Sequence, residues 1–259
     1  MAAETMRPLH PVLAVVERYV LLYRRLWHAS VFSSFLLPIL FLISIGLGVG
    51  GYVGSIEGVD YLSWIVPGVL VSTAFQICIG ESTYPVLGDF KWVRAYHAMR
   101  AAPIRPADIV HGHLIALILR VEVSVVAFLV VVLFFGGLHS PWALVTPLVC
   151  ALLVASVVTP VTAFAASIES DSYFALLFRF VVIPATLFSG VFFPVEQLPV
   201  VIRAVAYASP VWHAVELCRA ATLGREPTWP IAAHVGYLVL WAVVGLVLAR
   251  RAFKRRLED

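Results

Sequence analysis

Charge is scarce in this chain: 13% of its 259 residues are Asp, Glu, Lys or Arg, against 61% hydrophobic. That balance excludes an ordinary soluble domain, in which about a quarter of the residues are charged. A mean hydropathy of +0.96 points to a bilayer. Cysteine is scarcer still, with three residues: Cys78 and Cys150 fall inside apolar stretches and Cys218 outside one, which gives no disulfide framework. No G-x-x-x-x-G-K followed by Ser or Thr occurs, and "GGYVGS" at Gly50 to Ser55 lacks the lysine. The chain therefore carries no recognisable phosphate-binding loop. No Ser, His and Asp arrangement or usefully paired carboxylates suggest hydrolysis. The amino-terminal stretch has no compact apolar region followed by a small-residue cleavage site, so a secretory signal is not expected.

What is present is hydrocarbon-soluble helix. A span needs about 20 mostly apolar residues to cross roughly 30 Å of hydrocarbon. Six segments qualify: 31–52, 61–86, 107–136, 142–168, 173–193 and 229–250. Bare backbone cannot lie in lipid, and none of these segments has the short alternation of a barrel strand. The expected fold class is all-α, a polytopic membrane protein with six transmembrane helices. Arg7, Arg18, Arg24 and Arg25, then Lys91, Arg94, Arg100 and Arg105, then the tail "RRAFKRRLED", all fall on one side of that arrangement. The first loop of the opposite side, "GSIEGVD", is acidic. Both termini are therefore expected in the cytoplasm of a multi-pass plasma-membrane protein. Topology explains the net charge of +3 better than nucleic-acid binding does. A basic rim of this kind can also touch anionic lipid headgroups.

Three segments outside the spans carry information. Residues 8–28 alternate apolar and basic groups with a roughly helical period, as an interfacial helix does; a plain basic flank is the simpler alternative. In residues 88–102, Phe90, Val93, His97 and Arg100 follow one line of a helix and Trp92, Tyr96 and Met99 another, with Lys91 and Arg94 among them. Aromatics interleaved with arginines are typical of protein-binding hot spots. An ordinary basic loop would be shorter and less aromatic. In residues 194–224, Pro194 and Pro199 bracket Glu196, and two short apolar patterns are split at Ser209 and Pro210. Both are too short to cross, so a re-entrant hairpin is expected, with an external amphipathic lid as the alternative.

Charges inside spans need partners. Arg120 and Glu122 are two apart and point to different helix faces, so they cannot neutralise one another. Glu81 and Arg179 are the candidate partners, which predicts a polar cluster of Glu81, Arg120, Glu122 and Arg179 with Glu81 near Arg120 or Arg179. His111 with His113, and His213 with Glu216, do not assemble the three or four groups a metal needs, so no metal is expected.

"LFSGVFFPVEQLP" at 187–199, followed by "ASPVWHAVELCRAATLG", resembles the carboxy-terminal signature of type-2 ABC exporter permeases. Among these are the permeases that export nodulation lipooligosaccharides and those that confer daunorubicin resistance. "MRAAPIRPADIVHGH" resembles the same family's segment after its second span. The resemblance implies an interfacial helix, six spans, a coupling helix at 88–102 and outer re-entrant helices at 194–224 that include Pro210, His213 and Glu216. It further implies that Phe90, Lys91, Trp92, Val93, Arg94, Tyr96, His97 and Arg100 meet a separate ATPase, which binds ATP and Mg. This chain would hold no cofactor. Two permease copies, as a homodimer, would pair with two ATPase subunits and move an amphipathic cargo outward: a lipid-linked glycan, a lipid or a hydrophobic drug. A polysaccharide or teichoic-acid exporter is the neighbouring alternative, and a non-ABC scaffold or secondary transporter the more distant one.

Overall fold

The computed structural model describes residues 10–25, 36, 39, 40, 43, 44, 48, 50–56, 58–134 and 139–258. These are almost entirely helical. Helix α1 is Pro11–Arg25. After one helical turn at Gly50–Val53 comes a two-stranded antiparallel hairpin, β1 Ser55–Ile56 and β2 Val59–Asp60, with Ser55 opposite Asp60. Asp60 then caps α2, Tyr61–Ser82, by accepting from Leu62 N. Two short helices follow, α3 Tyr84–Lys91 and α4 Ala95–Ala101. Next are α5 Pro106–Phe134 and α6 Thr146–Ser167, the latter entered through a 3-10 turn at Pro141–Val145. Helix α7 is Ser172–Phe188, α8 Val200–Tyr207, α9 Pro210–Leu223 and α10 Ile231–Glu258.

Among the described residues, four helical stretches are long and apolar enough to cross a bilayer: Tyr61–Lys91, Pro106–Phe134, Pro141–Ser167 and Ile231–Glu258. The first expected span, 31–52, lies largely outside the described residues. The fifth is shorter than expected, because α7 stops at Phe188. It ends where Gly190 takes a φ of 73°, a left-handed conformation that cannot continue a helix. At 1.5 Å per residue α7 reaches about 25 Å. Its middle, Phe178–Val182, is π-helical, with Ile183 N bonded to Phe178 O. Pro184 has no N–H to give Phe180 O in the ordinary α pattern, which accounts for the widened turn.

Two large apolar cores and a small one around Val195, Ala206 and Trp212 are packed in the bundle. The largest joins α2, α5, α6 and α9 through residues such as Trp64, Leu70, Phe75, Leu117, Leu153 and Val215. The second lies at the α3–α4 end, where Val15 and Tyr19 of α1 meet Leu87, Phe90, Tyr96, Ile109, Phe174 and Phe253. Outward faces are apolar as well: Val123, Val126 and Val130 of α5, and Val239, Val243 and Val247 of α10, are exposed. A bundle that is apolar both inside and outside suits lipid as solvent.

Close helix contact depends on missing side chains. A Cβ at Gly112 would lie 2.5 Å from Val15 Cβ, so α1 can pack onto α5 only over that glycine. A Cβ at Gly245 of α10 would lie 2.3 Å from Thr159 Oγ1 and 2.5 Å from Pro160 Cδ of α6. At this crossing Thr159 Oγ1 bonds Ala155 O at 2.8 Å and Ala242 O at 3.2 Å. Small residues that let backbones approach, with a hydroxyl bonding across, are how helices associate when lipid is as apolar as they are.

That contact yields a paired prediction on one helix. Gly236 of α10 has nothing within 4 Å of an added Cβ. Gly245→Ala and Gly236→Ala gain the same helix propensity, so their difference isolates the clash. Gly245→Ala should be the less stable by about 1–3 kcal/mol, read as a lower Tm of the detergent-purified protein. Equal Tm values would refute the close α6–α10 crossing.

Candidate functional site

The segment expected as one rod over 88–102 is instead a bent pair of helices. Trp92 N and Val93 N both donate to Gly88 O, at 2.9 Å each, and Arg94 follows with φ 55°. This left-handed residue resets the direction of the chain between α3 and α4. Phe90 and Tyr96 consequently both turn inward, buried against each other at 4.7 Å between ring centroids and against Phe253 of α10 at 4.8 and 5.2 Å. Neither is accessible to a partner in this arrangement. The outward face is made by Lys91, Trp92, Val93, Arg94, His97 and Arg100, all exposed, with Trp92 at 63% and Val93 at 69%.

This handle is fastened on three sides. From α1, Arg18 Nη2 donates to Asp89 Oδ1 at 2.9 Å, and the Tyr19 and Tyr96 hydroxyls bond at 3.1 Å. Burial pushes both phenols up, so the pair stays neutral. From α10, Arg100 approaches Glu258 at 3.8 Å. Arg256 Nη1 donates to Ala165 O, Ala166 O and Ile168 O at 3.2, 2.9 and 2.8 Å. That guanidinium satisfies carbonyls which the end of α6 leaves free. From the α6–α7 connection, Lys91 Nζ donates to Glu169 O. From the sequence, Arg18 is named only for its charge on the basic side and Asp89 is not named; its signal is to be the only carboxylate in the otherwise basic stretch 88–102.

The four intramembrane charges do not form one cluster. Arg120 pairs with Glu81 Oε1. Tyr23 of α1 completes the group: its hydroxyl donates to Glu81 Oε2 at 3.2 Å, and Arg120 lies over its ring at 4.3 Å. Glu122 faces elsewhere, with Oε1 buried and no hydrogen-bond partner among the described residues. Arg179 sits in the π-helical turn of α7 and is exposed. The widened turn changes the rotational phase that an ideal helix would have given it.

At the opposite end, Pro194 precedes a 3-10 turn at Val195–Gln197 with Glu196 exposed, and Pro199 caps α8. Arg203 Nη2 donates to Glu196 O and Leu198 O, holding that turn. Ser189 Oγ donates to Ser209 Oγ at 3.0 Å, and Ser209 caps α9 at Pro210. Arg219 Nη2 donates to Gly190 O at 2.6 Å, Nη1 to Glu216 Oε1 at 3.0 Å, and its guanidinium lies 4.0 Å over Trp64. Glu216 Oε2 in turn accepts from Thr228 Oγ1 at 2.7 Å. His213 bonds His234 of α10, Nδ1 to Nδ1, at 2.9 Å and donates Nε2–H to Tyr207 O at 3.0 Å. Since the carbonyl only accepts, neutral His213 must accept at Nδ1, so His234 is the donor there. Burial lowers the His213 pKa to about 4. Among the described residues no group of three or more His, Cys, Asp or Glu side chains is placed to hold a metal ion.

The family described as ABC-2 type transporter matches residues 10–223. Over 248 residues the chain is 29% identical to Nodulation protein J of Rhizobium leguminosarum bv. viciae, covering 95% of this chain and 94% of that protein. It is 28% identical over 250 residues to Nodulation protein J of Rhizobium meliloti (strain 1021), covering 95% and 93%. Inner membrane transport permease YadH of Escherichia coli (strain K12) is 23% identical over 228 residues, covering 85% and 86%.

Two outcomes follow from these contacts. Arg120→Leu leaves the Glu81 carboxylate unpaired and should lower Tm and membrane yield more than the double variant Glu81→Gln/Arg120→Leu, with a coupling of about 0.5–3 kcal/mol. Additive losses would show that the pair contributes nothing. His213, held near 4 when folded against an ordinary value of 6.5, binds its proton in the unfolded chain first. Stability therefore falls as pH drops from 6.5 towards 4. His213→Gln should flatten that part of the Tm against pH profile.

Proposed function

Because the chain belongs to the ABC-2 type transporter family, we propose that it is the permease subunit of an ATP-driven exporter for amphipathic cargo, worked by a separate ATPase. The observation that carries this reading is the handle formed by α3 and α4: six exposed basic, aromatic and apolar residues on a base pinned to α1, α10 and the α6–α7 connection. A surface of that composition suits a protein partner. The sequence has no phosphate-binding loop, so the energy comes from another chain. Two permease copies, as a homodimer, work with two ATPase subunits, which hold ATP and Mg.

In this reading the chain spans the plasma membrane six times, with 31–52 as the first span and α7 within the fifth. Both termini are cytoplasmic. Arginines and lysines crowd the α3–α4 end, from Arg24 and Arg25 through Arg105 to Arg255, as expected of a cytoplasmic face. Helix α1 lies in the interface, with Leu13, Val20 and Leu21 exposed on the side away from α5. Helices α8 and α9 dip from the outer side. Burial of α9 from Val211 to Val215 supports re-entrance over an external lid.

ATPase closure pushes on Trp92 and Arg94. Because α4 is keyed to α1 by Tyr19–Tyr96 and to α10 by Tyr96–Phe253, the push moves three helices as one body. The cargo is a lipid-linked glycan, a lipid or a hydrophobic drug. An interior lined chiefly by Val, Leu, Phe and Ala offers such molecules a medium and offers a hydrated ion nothing.

The test removes the handle without disturbing its base. Arg94→Gly suits the left-handed backbone, and Trp92→Ala removes the handle's exposed indole. Full-length protein purified from its own membranes should bring an ATPase subunit with it. The double variant should be made at normal yield yet lose about 2 kcal/mol of that association, roughly 30-fold in affinity. An ATPase that binds both proteins equally, or neither, would overturn the reading.

A further inference from the structure

A cavity of about 390 Å³ lies under the turn that joins α8 to α9, walled by α2, α6, α7 and α10. Its depth comes from its walls: Val157 stands near the middle of α6 and Trp241 near the middle of the apolar part of α10, both in stretches that qualify as spans. Phe75 and Phe164 extend the wall towards the α3–α4 end. On the exposed side stand Phe180 of α7, at 73% exposure, and Trp241 at 36%.

The lining offers almost nothing to water. Ser156 Oγ is committed to Leu153 O at 2.8 Å. Ser209 Oγ is committed to Ser189 Oγ and to Val211 N. A water needs two to four polar partners, and these hydroxyls are already used. The cavity is open on the side of Phe180 and falls in the size range of small-ligand sites, about 300–1,000 Å³. It matches about a dozen methylene groups, if each takes roughly the 30 Å³ share of a liquid water.

A second observation points to the same place. Two of the helix irregularities in the bundle open onto the cavity. The π-helical turn of α7 contributes Phe180 and Val181, and Pro160, inside α6, faces it across the space. Widened turns of this kind recur at functional sites because they re-aim side chains. Here the turn and Pro184 shape the wall next to the roof formed by Ser209 and Pro210.

We propose that this cavity holds one hydrocarbon chain of an amphiphile, entering sideways from the bilayer past Phe180 and Trp241. The proposal deepens the reading of the chain as a permease for amphipathic cargo and rests on it for one point only, whether the chain belongs to cargo or to a bilayer lipid. The roof is the α8–α9 turn, which Ser189–Ser209 ties to the end of α7, so an occupying chain touches both the widened helix and the dipping pair.

The test uses the full-length protein in vesicles of phosphatidylethanolamine and phosphatidylglycerol. A small fraction of the phosphatidylglycerol carries a photoactivatable diazirine near the end of one acyl chain. After irradiation, adducts mapped by mass spectrometry should show a several-fold excess on the segments around Val157 and Phe180 over the lipid-exposed Val123 and Val126. Ala185→Phe, which fills the cavity from α7, should abolish the excess, whereas Val126→Phe should not. Labelling spread evenly over all exposed apolar faces in the unaltered protein would overturn the proposal, whatever the folding of the variants. So would an excess unchanged in folded Ala185→Phe protein. With the ATPase subunit present, an excess that is depleted on ATP turnover assigns a cargo chain, and one that persists assigns a resident bilayer lipid. Even labelling in protein that still binds its ATPase removes the cavity site and leaves the permease reading standing. Loss of the ATPase with the excess intact does the reverse.

Discussion

Hydrocarbon offers a peptide group no hydrogen-bond partner, so a helix break within it has to be closed by the protein, and several breaks among the described residues, at its edges as well, are closed in this way. The closures are specific. Gly88 O takes two amides where α3 bends into α4. Arg219 reaches Gly190 O where α7 stops. Ser209, held by Ser189, caps the start of α9. Arg256 serves three carbonyls at the end of α6. Two of these four closures use a guanidinium. Arginine suits the task because its fork reaches several carbonyls at once and remains charged in any surroundings. Arg219 and Arg256 are in this way tied to the places where the backbone turns.

Those ties divide the molecule into two packed ends. At the α3–α4 end, aromatic and ionic contacts from α1, α4 and α10 converge on Phe90 and Tyr96. At the other end, Trp212 lies 4.5 Å from Tyr207 and 4.8 Å from Trp229, beside the His213–His234 pair. Between them run α2, α5 and α6, with Gly245 and Gly112 setting how closely α10 and α1 approach. Rigid ends joined by long helices transmit displacement better than a uniformly soft bundle.

Much of this was legible because apolar runs in a polar medium are costly and therefore easy to count. The spans at 61–86, 107–136, 142–168 and 229–250 correspond to α2 with α3, α5, α6 and α10. Breaks at Pro194, Pro199 and Pro210 were legible for the same reason that proline is scarce inside helices. The facing of residues 88–102 was not. A single helical phase puts Phe90 and His97 on one line, whereas the left-handed Arg94 turns Phe90 and Tyr96 inward together. No pattern of residue types announces a left-handed arginine. Nor does sequence separate Arg120 from Arg179 as the partner of Glu81, since it does not say which helix faces meet across the bundle. The structure pairs Glu81 with Arg120 and leaves Arg179 exposed in the π-helical turn, whose written sign is Pro184. His213 and His234 meet across two helices, a contact that spacing along the chain does not encode.

The Glu81–Arg120–Tyr23 group occupies the joint between the two ends. Glu81 is the penultimate residue of α2, just before the break at Thr83 that begins α3. Its partners come from α5 and from α1. An ion pair in such surroundings does little for stability against an apolar replacement, because desolvating the charges offsets much of their attraction. What it does impose is direction, since Arg120 has one carboxylate to meet and Tyr23 one oxygen to reach. On the proposed reading, a push on α4 arrives at α1 through Tyr19 and at α2 through α3. Both routes end on the same carboxylate. If they moved Glu81 unequally, the bond from Tyr23 would break and leave polar groups unpaired at the edge of hydrocarbon. Because that rupture is costly, α1 and α2 are constrained to move together, and a motor gripping the short handle is thereby connected to the spans.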